Sequence, residues 1–356
     1  MKPVAPQAGQ VAAILIVRLS AIGDILFASP LVAALRRTYP HARIAWLVQA
    51  EYRGLLAAHP DLDLVIPCGI SAWRKAWRQG RYLEVLRDVG ALRALLRRQR
   101  FDLALDLQGL LKSGALTWLS GARQRVGLGS REGSGLLMRR VLRPLPASAR
   151  IGSEYLFLAA ALGLDPGDFG MAMHYGPEDA ATAERLLTGH GLDAGFIAAC
   201  PFTTRPQKHW VTERWPELAR RLHAEHGLPL ALLGGPADRG AGEAMAGAAG
   251  AAAVNLAGST TLAQAAALIA RSRALVGVDT GLSHMGIALG RPSLLLFGAT
   301  CPYTDTTRSD ARVLYHPRAC SPCRRRPTCA GRFDCMRDIQ IDEVLAALRQ
   351  LPGFWR

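Results

Sequence analysis

The sequence predicts an α/β protein made of two doubly wound, Rossmann-like domains. Three observations predict it. Short apolar runs alternate with longer amphipathic helical stretches, as a parallel sheet covered on both faces requires. The alternation stops at a Pro/Gly-containing breaker and then begins again. The 356 residues suit two domains of the usual ~100–200 residues each.

In the first half, residues 11–17, 44–48, 62–66 and 103–107 are apolar runs of strand length. Residues 25–37, 82–98 and 110–119 place apolar side chains at helical spacing. A further helix over 152–164 ends at Leu164-Asp165-Pro166-Gly167-Asp168. The pattern restarts with strands at 196–200, 230–233, 253–256, 274–278 and 293–297, and helices at 212–225, 241–249, 262–270 and 282–289. The expected organisation is a first domain over 1–165, a linker over 166–194 and a second domain over 195–341. A terminal helix within 342–356 could pack on either domain. Sheets of this kind bind ligands outside the carboxyl ends of their strands, so two facing domains predict an interdomain cleft.

Half of the residues are apolar and 20% are charged, enough for a sizeable core and too apolar for wholesale disorder. No uninterrupted apolar stretch approaches the ~18–20 residues that span a bilayer. The run over 11–17 ends at Arg18 and follows no basic segment or cleavage site, which argues against a secretory signal. A cytoplasmic protein is expected. The net charge of +15 is uneven: residues 1–165 carry +12 and residues 166–356 carry +3. A basic half beside a nearly neutral half faces something anionic: a phosphorylated lipid, a membrane surface or nucleic acid. Nucleic-acid binding is the reading from a different class, but no recognised module for it occurs. Of 43 basic residues only four are Lys: Lys2, Lys75, Lys112 and Lys208. The last three fall inside motifs.

Arg18-Leu19-Ser20-Ala21-Ile22-Gly23-Asp24 leads from the first strand into a helix. Asp24 is either a helix cap, worth ~1 kcal/mol, or a carboxylate aimed at a ligand as a general base. The segment is not the G-x-G-x-x-G fingerprint, which disfavours a nicotinamide dehydrogenase. Asp279-Thr280-Gly281-Leu282-Ser283-His284 closes a strand and opens a helix. It reads equally as a phosphate cradle of backbone N–H groups or as a capped helix with a packed His. Thr203-Thr204-Arg205-Pro206-Gln207-Lys208-His209-Trp210 offers hydroxyls and an ammonium to a diphosphate, or is a polar loop.

These segments, with Trp73-Arg74-Lys75-Ala76-Trp77 and Asp106-Leu107-Gln108-Gly109-Leu110-Leu111-Lys112-Ser113, give the chain its resemblance to the glycosyltransferase family 9 heptosyltransferases, most of all to the type I group. The resemblance implies a GT-B fold, with the acceptor held by the first domain and the nucleotide sugar by the second. It implies inverting transfer of L-glycero-D-manno-heptose from ADP-heptose to Kdo of Kdo2-lipid A, without a catalytic metal, on the cytoplasmic face of the inner membrane. Asp24 would then be the base. Thr203, Thr204, Lys208, Asp279, Thr280, Gly281 and His284 would hold the donor. Asp238 matches a family turn whose acidic residue, often Glu, binds adenosine. Thr260 falls near the nucleotide or else caps a helix. Type II, later core and protein heptosyltransferases are the alternatives within the family.

On the acceptor side Arg74, Lys75, Gln108, Lys112 and Arg131 suit Kdo carboxylates and lipid phosphates. Trp73 and Trp77 could instead belong to an exposed amphipathic helix whose tryptophans pack down. A basic amphipathic surface there would also help the protein lie on the membrane. Cys320, Cys323, Cys329 and Cys335 form C-x2-C-x5-C-x5-C among Arg324, Arg325, Arg326 and Arg332. Four thiolates could hold structural zinc or iron, or the segment is a reduced, metal-free loop.

Overall fold

A computed structural model describes residues 11–144, 148–323 and 326–354. Lys2, Arg324 and Arg325 lie outside them. The chain divides into two compact units, residues 1–148 with 152–171, and 149–151 with 172–356.

The first unit holds six parallel strands: β1 (Ala13–Val17), β2 (Arg43–Gln49), β3 (Leu64–Cys68), β4 (Leu103–Asp106), β5 (Gln124–Leu128) and β6 (Arg140–Leu142), ordered β3-β2-β1-β4-β5-β6. Its helices are α1 (Ile22–Ala28), α2 (Pro30–Thr38), α3 (Ile70–Arg78), α4 (Tyr82–Arg98), α5 (Leu111–Leu119) and α6 (Ser153–Leu162). All of β1 is buried, as a strand covered on both faces must be. Leu15 and Val17 pack with Ala45, Leu47, Leu92 and Leu96 in its core. The single helix expected over 25–37 is two, because Pro30 lacks the N–H that would continue the ladder and instead starts α2.

The second unit repeats the plan with β7 (Ile197–Cys200), β8 (Leu230–Leu232), β9 (Ala253–Asn255), β10 (Ala274–Val278), β11 (Ser293–Phe297) and β12 (Ala311–Tyr315), all parallel, ordered β12-β11-β10-β7-β8-β9. Its helices are α7 (Pro177–Gly189), α8 (Arg214–His226), α9 (Arg239–Ala249), α10 (Leu262–Arg271), α11 (Gly281–Ala288), α12 (Asp334–Arg337) and α13 (Ile341–Arg349). Residues 166–194, expected as a linker, contain α7, which packs on α10 in the second unit. The terminal helix α13 packs on α8 and β11 of that same unit. Trp210 and Trp215 meet edge to face at 5.1 Å in its core, and the Trp210 indole donates to the Ile339 carbonyl at 2.9 Å just before α13.

Numbered within each unit, both sheets run 3-2-1-4-5-6. Strand order reverses between β1 and β4 in the first and between β7 and β10 in the second. Loops leaving these strands therefore diverge to opposite sides and open a ligand crevice at the carboxyl ends.

Candidate active site

At the reversal in the first unit, β1 runs directly into Arg18 and the loop to α1. The Arg18 guanidinium is buried and forms an ion pair with Asp24 Oδ2 at 2.5 Å. It also donates to the Leu107 carbonyl after β4 at 2.7 Å. Burial opposes its charge, yet neighbouring Tyr155 and Asp24 keep its pKa above the ordinary value. Asp24 is the third residue of α1 rather than its N-cap. Its Oδ2 accepts from the Ala21 amide at 3.2 Å. Oδ1 accepts no hydrogen bond among the described residues, and the side chain is 42% exposed. One oxygen is thus anchored and the other is open to a proton.

Gln108, after β4, ties the two loops together. Its Oε1 accepts from the Leu19 amide at 3.0 Å and its Nε2 donates to Ser20 Oγ at 3.4 Å. The turn that presents Gln108 is built by Asp106, fully buried, whose Oδ1 accepts from the amides of Gln108 and Gly109 at 3.1 Å each. Asp106 Oδ2 has no hydrogen-bond partner among the described residues, and burial pushes this carboxyl above the usual range. Gly109 has φ of 64° and its missing Cβ would fall 2.6 Å from the Leu128 carbonyl, so only glycine fits. Through it the loop after β5 joins the group: the Arg131 amide donates to the Gly109 carbonyl at 2.7 Å. Lys112 lies half-buried in the first turn of α5. Arg74 and Lys75 are exposed on α3, and no hydrogen bond or ion pair links them to the Asp24 loop.

At the reversal in the second unit, Asp279 follows β10 and is nearly buried. Its Oδ2 pairs with Lys208 Nζ at 2.7 Å and accepts a short hydrogen bond from the Thr300 hydroxyl. Its Oδ1 meets His284 Nε2 at 3.3 Å, and His284 Nδ1 meets the Tyr303 hydroxyl at 2.7 Å. Burial opposes ionisation of Asp279, but His284 and Lys208 outweigh it and hold the carboxyl well below its ordinary range. Burial pushes Tyr303 well upward. The arrangement fixes an ammonium beside the start of α11.

Thr280 is the N-cap of α11 by backbone geometry, but its hydroxyl makes no capping bond. The Ser283 amide donates to the Thr280 carbonyl at 3.1 Å, while the Gly281 and Leu282 amides make no hydrogen bond among the described residues, as first-turn amides commonly do not. Gly277 lets β10 approach: a Cβ there would fall 2.2 Å from Ser283 Oγ and 2.8 Å from Cys200 Cβ. Thr203 and Thr204 follow β7. The Thr203 carbonyl accepts from His209 Nε2 at 2.9 Å, whereas Thr204 is exposed.

Two donor-side expectations change in detail. Asp238 accepts from the Gly235 amide at 2.8 Å and so closes its own turn after β8. The cap of α10 is Thr261, which accepts from the Gln264 amide at 3.3 Å while Gln264 accepts from Thr261 at 3.0 Å. Thr260 precedes that capping box and is not part of it.

Structural zinc or iron at the cysteine cluster, expected as one of two alternatives beside a reduced, metal-free loop, finds no support in the arrangement of the described residues. Cys320, Cys323, Cys329 and Cys335 are all free thiols around one cavity of about 330 Å³. They span an exposed turn and a buried helix, with Cys335 pushed up to about 11 by burial and by the other three sulfurs. Among the described residues no group of three or more His, Cys, Asp or Glu is arranged to hold a metal ion.

Sequence reasoning missed Arg18, Asp106, Thr300 and Tyr303 as site residues. Each follows or ends a strand at the carboxyl edge, and that position was the available signal.

The family model described as "Glycosyltransferase family 9 (heptosyltransferase)" matches residues 89–333. Lipopolysaccharide heptosyltransferase 1 of Pseudomonas aeruginosa is 33% identical over 330 residues, 89% of this chain and 87% of its own. The enzyme of that name from Escherichia coli K12 is 30% identical over 296 residues, 81% and 88%. Among solved structures, E. coli ADP-heptose lps heptosyltransferase II gives a TM-score of 0.75 at 27% identity, over 95% of this chain and 97% of that one. E. coli heptosyltransferase WaaC with ADP-2-deoxy-2-fluoro heptose gives 0.73 at 26%, over 95% and 99%. The two six-stranded parallel sheets are the GT-B plan of these enzymes, and with a family match over more than half its length this chain belongs to glycosyltransferase family 9, the heptosyltransferases.

Proposed function

We propose that the chain is an inverting heptosyltransferase of type I, moving L-glycero-D-manno-heptose from ADP-heptose to Kdo of Kdo2-lipid A. One observation carries the reading: in each unit the groups suited to this chemistry gather where strand order reverses. Relatives named lipopolysaccharide heptosyltransferase 1 at 29–33% identity support the choice of type.

In this reading the open Oδ1 of Asp24 takes the proton of the acceptor hydroxyl, while Arg18 and the Ala21 amide hold Oδ2 still. The hydroxyl oxygen attacks the anomeric carbon as the bond from that carbon to the β-phosphate oxygen of ADP breaks. A single displacement inverts the centre. The leaving diphosphate gains negative charge, and Lys208, the hydroxyls of Thr203, Thr204 and Thr280 and the first amides of α11 balance it, so no protonating acid is needed. Asp279 orients Lys208 and, with His284, binds the donor; Asp238 and Thr260 flank its nucleotide. Gln108, Lys112 and Arg131 bind the anionic acceptor, with Arg74 and Lys75 further out. The enzyme works at the cytoplasmic face of the inner membrane as a peripheral protein; among the described residues no helix is long and apolar enough to cross a membrane.

Lipopolysaccharide heptosyltransferase 2 of E. coli K12, 28% identical over 353 residues, keeps a type II reading in play. Turnover with Kdo2-lipid A and with singly heptosylated core separates them. The type I reading expects the first acceptor to be used; exclusive use of the second would replace it.

A further inference from the structure

All eight large apolar side chains that stand exposed among the described residues fall between residues 77 and 136, in the first unit. Five of them lie on the α3–α4 hairpin, and four of these, Trp77, Tyr82, Leu83 and Leu86, gather toward its turn. Trp73 turns inward and packs on the core. One turn later Trp77 is 54% exposed and meets Tyr82 edge to face at 4.6 Å. Tyr82 opens α4, followed by Leu83, 83% exposed, and Leu86, 61% exposed.

The core side of α4 is Val85, Leu92 and Leu96. At 100° per residue Leu83 and Leu86 lie away from that stripe, on the face shared with Arg93 and Arg97. An apolar tip thus merges into a basic flank. Residues 70–98 contain eight basic and two acidic side chains, a net of +6. Both acids are already paired, Glu84 with Arg81 at 2.9 Å and Asp88 with Arg87 at 3.2 Å. Arg74, Lys75 and Arg78 have no such partner among the described residues.

We propose that the α3–α4 hairpin docks on the surface of a bilayer rich in anionic phospholipid, with Trp77, Tyr82, Leu83 and Leu86 entering the headgroup–acyl boundary. Indole and phenol rings favour that boundary, being apolar with one polar tip. The surrounding guanidinium and ammonium groups answer the negative headgroups. A protruding tip with uncompensated positive charge fits a bilayer better than a second copy of the chain, which would bring like charge against it. The inference deepens the reading of a lipid-anchored acceptor and rests on it for purpose, but its test does not.

The full chain is floated with vesicles of phosphatidylcholine alone and of phosphatidylcholine with phosphatidylglycerol, both free of glycolipid. Binding to the anionic vesicles, weakened by salt, is expected. In the variant carrying Leu83→Glu and Leu86→Glu that binding should fall about tenfold or more. Transfer to a deacylated, water-soluble acceptor and the unfolding temperature should stay at parental values. Equal flotation of variant and parent, no binding by the parent, or a parental dimer that the substitutions dissociate would each overturn the proposal. Vesicle binding without heptose transfer would instead remove the functional reading and leave the docking surface standing.

Discussion

Asp24 divides its carboxylate, one oxygen held by Arg18 and a backbone amide and the other open. Asp24→Asn keeps the shape and removes the basicity, so transfer should fall by ~10²–10⁴ with ADP-heptose affinity nearly unchanged; kcat and donor Kd check the two halves. Asp24→Ala also strips the buried Arg18 of its partner and should cost a further ~1.5–3 kcal/mol of stability relative to the Asn variant, read by urea unfolding. Lys208→Ala should weaken donor binding, turnover or both by ~10–100-fold, as loss of a charged contact does. Two buried aspartates should respond to pH with opposite sign. Burial raises Asp106, so the stability it contributes is full below the ordinary carboxylate value of ~4 and is lost as pH rises through its folded value. Asp279 is lowered, so its contribution is present above ~4 and lost as pH falls through its folded value. Urea midpoints of Asp106→Asn against the parent should therefore improve toward neutral pH, and those of Asp279→Asn should improve toward acid.

Elements set these side chains by where strands end and helices begin. Gly277 in β10 leaves room for Ser283 of α11 and for Cys200 of β7. Gly277→Ala should push α11 away, costing ~1–3 kcal/mol and weakening donor binding together; thermal unfolding and donor titration measure both. Thr261→Ala should cost ~1 kcal/mol through loss of the α10 cap, with donor affinity intact. Buried strands such as β10 and β11 were legible because both faces are covered and the run is almost wholly apolar. The edge strands β6 and β12 were not: β6 has three residues, and β12 sets exposed Arg312 between buried Ala311 and half-buried Val313. β5 opens with Gln124 and Arg125, which masks its apolar end. The motifs at Asp24, Lys208 and Asp279 were legible because they stand at strand ends in one linear stretch each. Thr300 and Tyr303 were hidden because they reach Asp279 and His284, respectively, from the next strand's loop, a proximity that only parallel pairing of β10 with β11 creates. The cysteine spacing brings four thiols around one cavity but into no metal-binding group among the described residues, since spacing along a chain does not fix where thiols point.

At the scale of the whole molecule, two copies of one plan divide the labour. The first unit carries most of the net positive charge, the open carboxylate and the exposed apolar hairpin; the second carries the ammonium, hydroxyl and amide groups that suit a diphosphate. In the proposed reaction both act on one anomeric carbon, which needs reacting atoms about 3–3.5 Å apart. The most direct test is mass spectrometry of product after incubation of parent and Asp24→Asn protein with ADP-heptose and Kdo2-lipid A. The account predicts one heptose added by the parent, with release of ADP, and none by the variant in the same time. Equal product from the variant, or no product from the parent while its donor binds, would contradict it.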